Sequence, residues 1–181
     1  MELRLHLHRG LSRDVDWFAA GVAGFAAGAL LMVLELAWAA SLGDDGQGPW
    51  RLTQLVAALT LGPSVLKDAS DAAGAQFNLV VAAVALATHY ALGIFSGFVV
   101  AWVLAAMHQR LDQLGVAEAV GFVFGAAVYF INFHLLTAVV PWFAELRGWG
   151  TLILHLIFGL AIAVLYTRLA RRGHPASPAS A

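Results

Sequence analysis

Long apolar runs alternate with short polar connections along the chain. Four runs, Trp17–Ser41, Leu79–Met107, Ala119–Val140 and Gly150–Thr167, reach the length that predicts a membrane-crossing helix, which is roughly 17–25 mostly apolar residues. A shorter run, Arg51–Leu61, sets Leu52, Leu55, Val56 and Leu59 on one helical face and stops at Gly62-Pro63. Too short to span, it predicts a helix lying at the membrane interface. The pattern predicts an all-α integral membrane protein with four transmembrane helices and one short interfacial helix. The membrane domain covers residues 17–170, after a basic tail at 1–16 and before a disordered tail at 171–181.

Composition agrees and narrows the class. Hydrophobic residues make up 61% of the 181 and charged residues 12%, against about 45–50% and about 25% in soluble domains. That excludes both a soluble globular chain and a disordered one. Eleven Asp and Glu against ten Lys and Arg leave no basic surface for nucleic acid. Without cysteine there is no disulfide, thiolate metal site or thiol nucleophile.

Charge position sets an orientation. Arg4, Arg9 and Arg13, then Arg110, then Arg168, Arg171 and Arg172 fall on one side of the spans. The other side holds Arg51, Lys67 and Arg147 among Asp44, Asp45, Asp68, Asp71 and Glu145. The positive-inside rule then predicts both termini in the cytoplasm of a bacterial cell, with acidic-leaning loops and the interfacial helix on the periplasmic side. Leu3, Leu7, Leu11 and Val15 recur among the N-terminal arginines and suit a segment lying on the anionic leaflet, or a solvated tail. Ala37-Trp38-Ala39 has the small-x-small form of a signal-peptidase site. The apolar region before it is far longer than the usual 7–15 residues of a signal, so an uncleaved helix is expected.

The spans repeat in pairs. Gly24-Phe-Ala-Ala-Gly28-Ala parallels Gly121-Phe-Val-Phe-Gly125-Ala, with Glu35 and Asn132 each following seven residues after the second glycine. His89-x-x-x-Gly93 in the second span parallels His155-x-x-x-Gly159 in the fourth. This predicts two parallel-oriented hairpins related by an axis along the membrane normal, with a site at their interface. Small residues alone also recur wherever helices pack closely.

Polar residues inside the spans are the candidate chemistry. Of all the charged residues only Glu35 lies within a span. At 1.5 Å per residue, Glu35, His89, Asn132 and His155 lie roughly 8–15 Å below the outer surface. Each lies toward the outer end of a small-residue stripe: Gly24 and Gly28; Gly93 and Gly97; Gly121 and Gly125; Gly159 and Ala163. Bundle-facing stripes would gather the four polar groups around one pocket. His134, two residues from Asn132, points elsewhere and suits the outer interface.

Burying a carboxylate in hydrocarbon costs at least about 2.5 kcal/mol, so Glu35 marks a functional site or a clasp. The clasp would pair Glu35 with one histidine and Asn132 with the other. Glu35, His89 and His155 form a ligand set familiar for a divalent metal. His89 and His155 would serve as axial ligands of haem b, the glycine one turn deeper leaving room for the porphyrin. A proton or ion relay through Glu35 and a histidine is the third chemistry. The expected role is non-enzymatic, in a respiratory or transport assembly with other membrane subunits or further copies of the chain. An ion-coupled transporter and a scaffold subunit are the alternatives.

The stretch Tyr129–Trp149, followed by His155, and Leu61-Gly-Pro-Ser-Val-Leu66 resemble a group of small bacterial four-helix inner-membrane proteins, often labelled sodium:proline symporters. The likeness covers about Trp17–Thr167 and is most specific at Pro141-Trp142-Phe143, Arg147 and Trp149. It implies an architecture more than a mechanism, since sodium-coupled solute carriers use more helices and broken-helix sites. Trp142, Trp149 and Trp50 suit an aromatic belt at the outer boundary. Glu145 and Arg147 would close the pocket from outside or remain solvated.

Overall fold

The computed structural model describes residues 15–42, 48–68, 77–107 and 114–173, and all its regular structure is helical. Helix α1 spans Trp17–Ser41, α2 Pro49–Leu61, α3 Ser64–Asp68, α4 Leu79–Ala106, α5 Leu114–Phe130 and α6 Trp149–Gly173. Between α5 and α6 the chain passes through a π-helical turn, Ile131–Leu135, and two 3-10 turns, Leu136–Ala138 and Pro141–Leu146. Four stretches are long and apolar enough to cross a membrane: Trp17–Ser41, Leu79–Ala106, Gly115–Ala138 and Trp149–Arg171. The basic N-terminal stripe, the loop charges Asp44, Asp45, Asp71 and Arg110, and the tail from His174 lie outside the described residues.

Local chemistry explains the helix ends. The Asp16 carboxylate accepts from the Ala19 amide at 2.8 Å and caps α1, and Asn78 caps α4 through the Val80 and Val81 amides. Pro49 opens α2, two residues before the expected start, where its missing N–H costs nothing. Gly62, at φ +85°, closes it as the Gly-Pro pair predicts.

Glycine seams hold the long helices together. A Cβ on Gly97 would lie 2.9 Å from Gly24 Cα, and one on Gly93 2.9 Å from Gly24 O. In the second pair, a Cβ on Gly121 would lie 2.6 Å from Gly159 O, and one on Gly159 2.8 Å from Gly125 Cα. Both pairs are antiparallel, α1 with α4 and α5 with α6, and their backbones approach as only side-chain-free positions allow. The α1 and α6 helices join the pairs around a core containing Ala20, Ala23, Ala27, Leu104, Ile162 and Ala163.

The two largest differences from the expected boundaries lie at the C-terminal ends of the third and fourth spans. The third span is not one α-helix to Val140; it leaves α geometry after Phe130. A second apolar cluster, Tyr129, Phe133 and Phe143 with Trp142 and Leu152 against them, packs around the irregular segment. The fourth helix continues beyond Thr167 to Gly173, so residues 171–173 are helical and not part of a disordered tail. Lipid-length apolarity ends before the helix does, because Arg and Leu propagate helix well in water.

Candidate functional site

Glu35, His89, Asn132 and His155 line one cavity of about 340 Å³. Leu52, Val56 and Leu59 of α2 and Phe143 of the 3-10 turn form part of its wall. Seven residues past Gly28, Glu35 faces inward from the outer part of α1; His89 comes from α4 and His155 from α6. Asn132 comes from the π turn, where an extra residue per turn re-aims side chains at the cost of regular bonding. His134 is exposed, its ring lying against Tyr129 and Phe130, and does not line this cavity.

Both histidines are anchored by backbone. His89 Nε2 donates to Gly28 O at 2.9 Å, tying α4 to α1. His155 is only 4% exposed, and its Nδ1 donates to Thr151 O at 2.9 Å one turn earlier in its own helix. Phe133 and Tyr129 meet its ring edge-on at 5.2 and 6.2 Å. Among the described residues, neither Glu35 nor Asn132 has a side-chain hydrogen-bond or ion-pair partner. The expected Glu35–histidine and Asn132–histidine clasp is therefore replaced by two histidine–carbonyl bonds, with the acid and the amide left facing the cavity.

Glu35 also lines two further cavities. One, of about 520 Å³, runs along Trp38, Arg51, Glu145, Arg147 and the N-terminal turn of α6. The other, of about 300 Å³, lies between α1, α2 and α4 and includes His89. The half-buried Glu35 thus borders all three spaces. It stands where a vestibule beneath the Arg51–Glu145 pair, a groove between α1, α2 and α4, and the polar cavity meet.

The cover over the vestibule is built from both halves of the chain. Arg51 of α2 holds Glu145 through a two-pronged ion pair, with Nη2 2.8 Å from Oε1 and Nε 3.1 Å from Oε2. Trp142 Nε1 donates to Leu55 O at 3.3 Å, a second tie between the same elements. Thr60 and Thr88 hydroxyls, 2.7 Å apart, fasten α2 to α4. Arg147 does not pair with Glu145: its Nε donates to Phe133 O and its Nη2 to Thr137 Oγ1 at 2.8 Å. It thus supplies donors where the π and 3-10 turns interrupt the helical ladder. Trp149 is 80% exposed, whereas Trp142 is half-buried in the cover. Sequence reasoning missed Arg51 as the partner of Glu145, and nothing in its local pattern signals a mate 94 residues away.

The donor set bears on the cofactor expectations. Among the described residues, no three of His, Asp and Glu gather closely enough to hold a metal ion. The glycines beside the histidines give no slot for a porphyrin: Gly93 abuts Gly24 O and Gly28 Cα, and Gly159 abuts Gly125. The space they create is filled by neighbouring backbone. No family model, curated protein or solved structure matches the chain.

Proposed function

We propose that this chain is an inner-membrane protein of ion-coupled transport, in which Glu35 is a proton- or cation-exchanging carboxyl reached from the periplasmic side. One observation carries the reading: a carboxyl with no hydrogen-bond or ion-pair partner among the described residues, inside a helical bundle, at the meeting point of three cavities. Such a group is costly in a membrane and is retained for ions or protons. The positive-inside asymmetry supports cytoplasmic termini and a periplasmic cover made of α2 and the Pro141–Leu146 turn. In this reading the two hairpins are repeats of one ancestral unit, and the site lies between them. The resemblance to small four-helix inner-membrane proteins supports the same architecture, working as a homo-oligomer or beside other membrane subunits.

A metal-binding accessory role is the second reading, favoured by His155. With Nδ1 fixed on Thr151 O, its Nε2 is free to ligate, as in metal sites whose histidines are oriented by an outer hydrogen bond. Proteoliposomes loaded with a pH-sensitive dye test the first reading. Imposed ion gradients should drive proton flux that Glu35→Gln abolishes, and flux indifferent to that change would refute it. Elemental analysis and a reduced-minus-oxidised visible spectrum of the purified chain test the second, including haem.

A further inference from the structure

The cavity has a hydrogen-bonding polarity that selects its ligand. A backbone carbonyl only accepts, so the ring nitrogen facing it must carry the proton. That nitrogen is Nε2 in His89, on Gly28 O, and Nδ1 in His155, on Thr151 O. In the neutral rings, His89 Nδ1 and His155 Nε2 are left as lone-pair acceptors. Glu35 is purely an acceptor once ionised, and the amide oxygen of Asn132 adds a fourth acceptor. Against these stand the Asn132 amide nitrogen and the O–H of Glu35 while it is protonated; the Ser96 hydroxyl hydrogen is spent on Leu92 O.

An anion entering this space would meet lone pairs and, when Glu35 is ionised, a carboxylate. A bare metal ion needs its ligands drawn to one point, and no three His, Asp or Glu side chains among the described residues are so drawn. The space is also far larger than an ion requires. At about 340 Å³ it falls at the small end of small-molecule pockets, which range over roughly 300–1,000 Å³. Apart from Ser96 the remaining wall is apolar, and it includes the rings of Phe133, Phe143 and Phe158. Aromatic faces add attraction for a cation.

Resting on the exchange site proposed above, we infer that the cavity takes a small organic ammonium ion: an N–H-bearing cation with an apolar, ring-sized body. The ammonium pairs with the Glu35 carboxylate, the histidine lone pairs leave no cationic donor to compete with it, and the body lies among the phenylalanines. Binding displaces the proton of the empty carboxyl. The Glu35 O–H bond breaks, its electron pair stays on the carboxylate that now faces the ammonium, and the proton leaves through the vestibule. No redox step or co-reactant is involved. Proton and cation exclude one another at one carboxyl, which is the requirement for coupling their movements.

Isothermal titration of the purified full chain in nanodiscs tests this with three probes of one shape: 2-phenylethylammonium, its N-trimethyl analogue and 2-phenylethanol. The primary ammonium should bind about tenfold or more tighter than either other probe. Heats measured in two buffers of different ionisation enthalpy should report release of about one proton per ligand. Glu35→Gln should weaken ammonium binding at least about tenfold. The probe series on the unmodified chain stands even if that variant does not fold. Equal binding of the alcohol or the trimethyl analogue, or no binding at all, would overturn the ligand class, as would a stoichiometric metal ion that blocks the ammonium. Glu35-dependent proton flux without ammonium preference would leave the exchange reading and remove only the ligand. Loss of both would remove both.

Discussion

Replacing Gly24 and Gly28 separately by alanine tests whether the seams are places of backbone contact or only a compositional habit. The two belong to one Gly-x-x-x-Gly motif in α1 and gain equally in helix propensity, up to about 1 kcal/mol each. Their surroundings differ. A Cβ on Gly24 would press on Gly93 O and sit 3.0 Å from both Gly97 Cα and N, all backbone atoms that cannot rotate aside. A Cβ on Gly28 would meet only Gly93 Cα at 3.5 Å, an ordinary contact. Gly24→Ala must therefore part α1 from α4 by roughly 1 Å, a gap that forfeits a quarter to a half of each dispersion contact along the seam. Overpacking of this kind costs about 1–3 kcal/mol, whereas Gly28→Ala should be neutral or mildly stabilising. Gly125, the counterpart of Gly28 in the second pair, is crowded by the His155 carbonyl and by Leu156 Cα at 3.0 Å, so Gly125→Ala should behave like Gly24→Ala. Reversible unfolding in mixed micelles titrated with dodecyl sulfate, followed by circular dichroism, gives the differences directly. Equal costs at Gly24 and Gly28 would refute the argument.

Other outcomes follow from the cover and the anchors. A double-mutant cycle of Arg51→Ala and Glu145→Ala should give a coupling of about 0.2–1 kcal/mol that shrinks in high salt, because both side chains are partly exposed. A coupling unchanged by salt would mean the pair is shielded from water. Arg147→Met removes the donors to Phe133 O and Thr137 and should cost about 1–3 kcal/mol. Amide exchange should rise in the 131–138 segment and not in α1 or α4. His89→Phe should lose about 0.6 kcal/mol, and at most about 1.7, for the interhelical bond to Gly28 O. A larger loss in the same unfolding assay would mean His89 supports more than that contact.

The spans were legible because a bilayer imposes a length and a polarity that any sequence must meet. The pairing of Gly24 with Gly93 and Gly97 was legible in part, since small residues in one stripe let a neighbouring helix approach closely. The break after Phe130 was not. No glycine or proline marks it until Pro141, and what stabilises it is tertiary: Arg147, fourteen residues downstream, donates to Phe133 O. The gathering of Glu35, His89, Asn132 and His155 on one cavity was readable from depth and face, but their partners were not. Side-chain identity suggests that acids pair with histidines. Here each histidine turns instead to a carbonyl, and a carbonyl is present at every position of every sequence. For the same reason the cover was half-read: Glu145 stood out as a loop charge, while its attachment to Arg51 depends on how α2 folds back.

The distinction between a clasp and a site comes down to one residue. A side chain that holds helices together loses stability when removed; one that is kept for a ligand does not. His89 belongs to the first kind through its bond to Gly28 O, whereas Glu35 spends no hydrogen bond on the fold among the described residues. Its burial in the bundle carries a penalty of the order of 2.5 kcal/mol for an acidic group at depth, reduced by the cavities it faces. Glu35→Leu should therefore leave the unfolding midpoint unchanged or raise it by an amount equivalent to about 1–2 kcal/mol, while proton flux in proteoliposomes is lost. Glu35→Gln, which keeps shape and removes charge, should match it in flux and fall between it and the native chain in stability. If both variants instead lower stability by 2 kcal/mol or more, about the cost of breaking a buried polar contact, Glu35 is part of the scaffold after all. A stable chain that no longer moves protons would place the carboxyl among the groups that a protein carries at a cost, because its ligand and not its fold requires it.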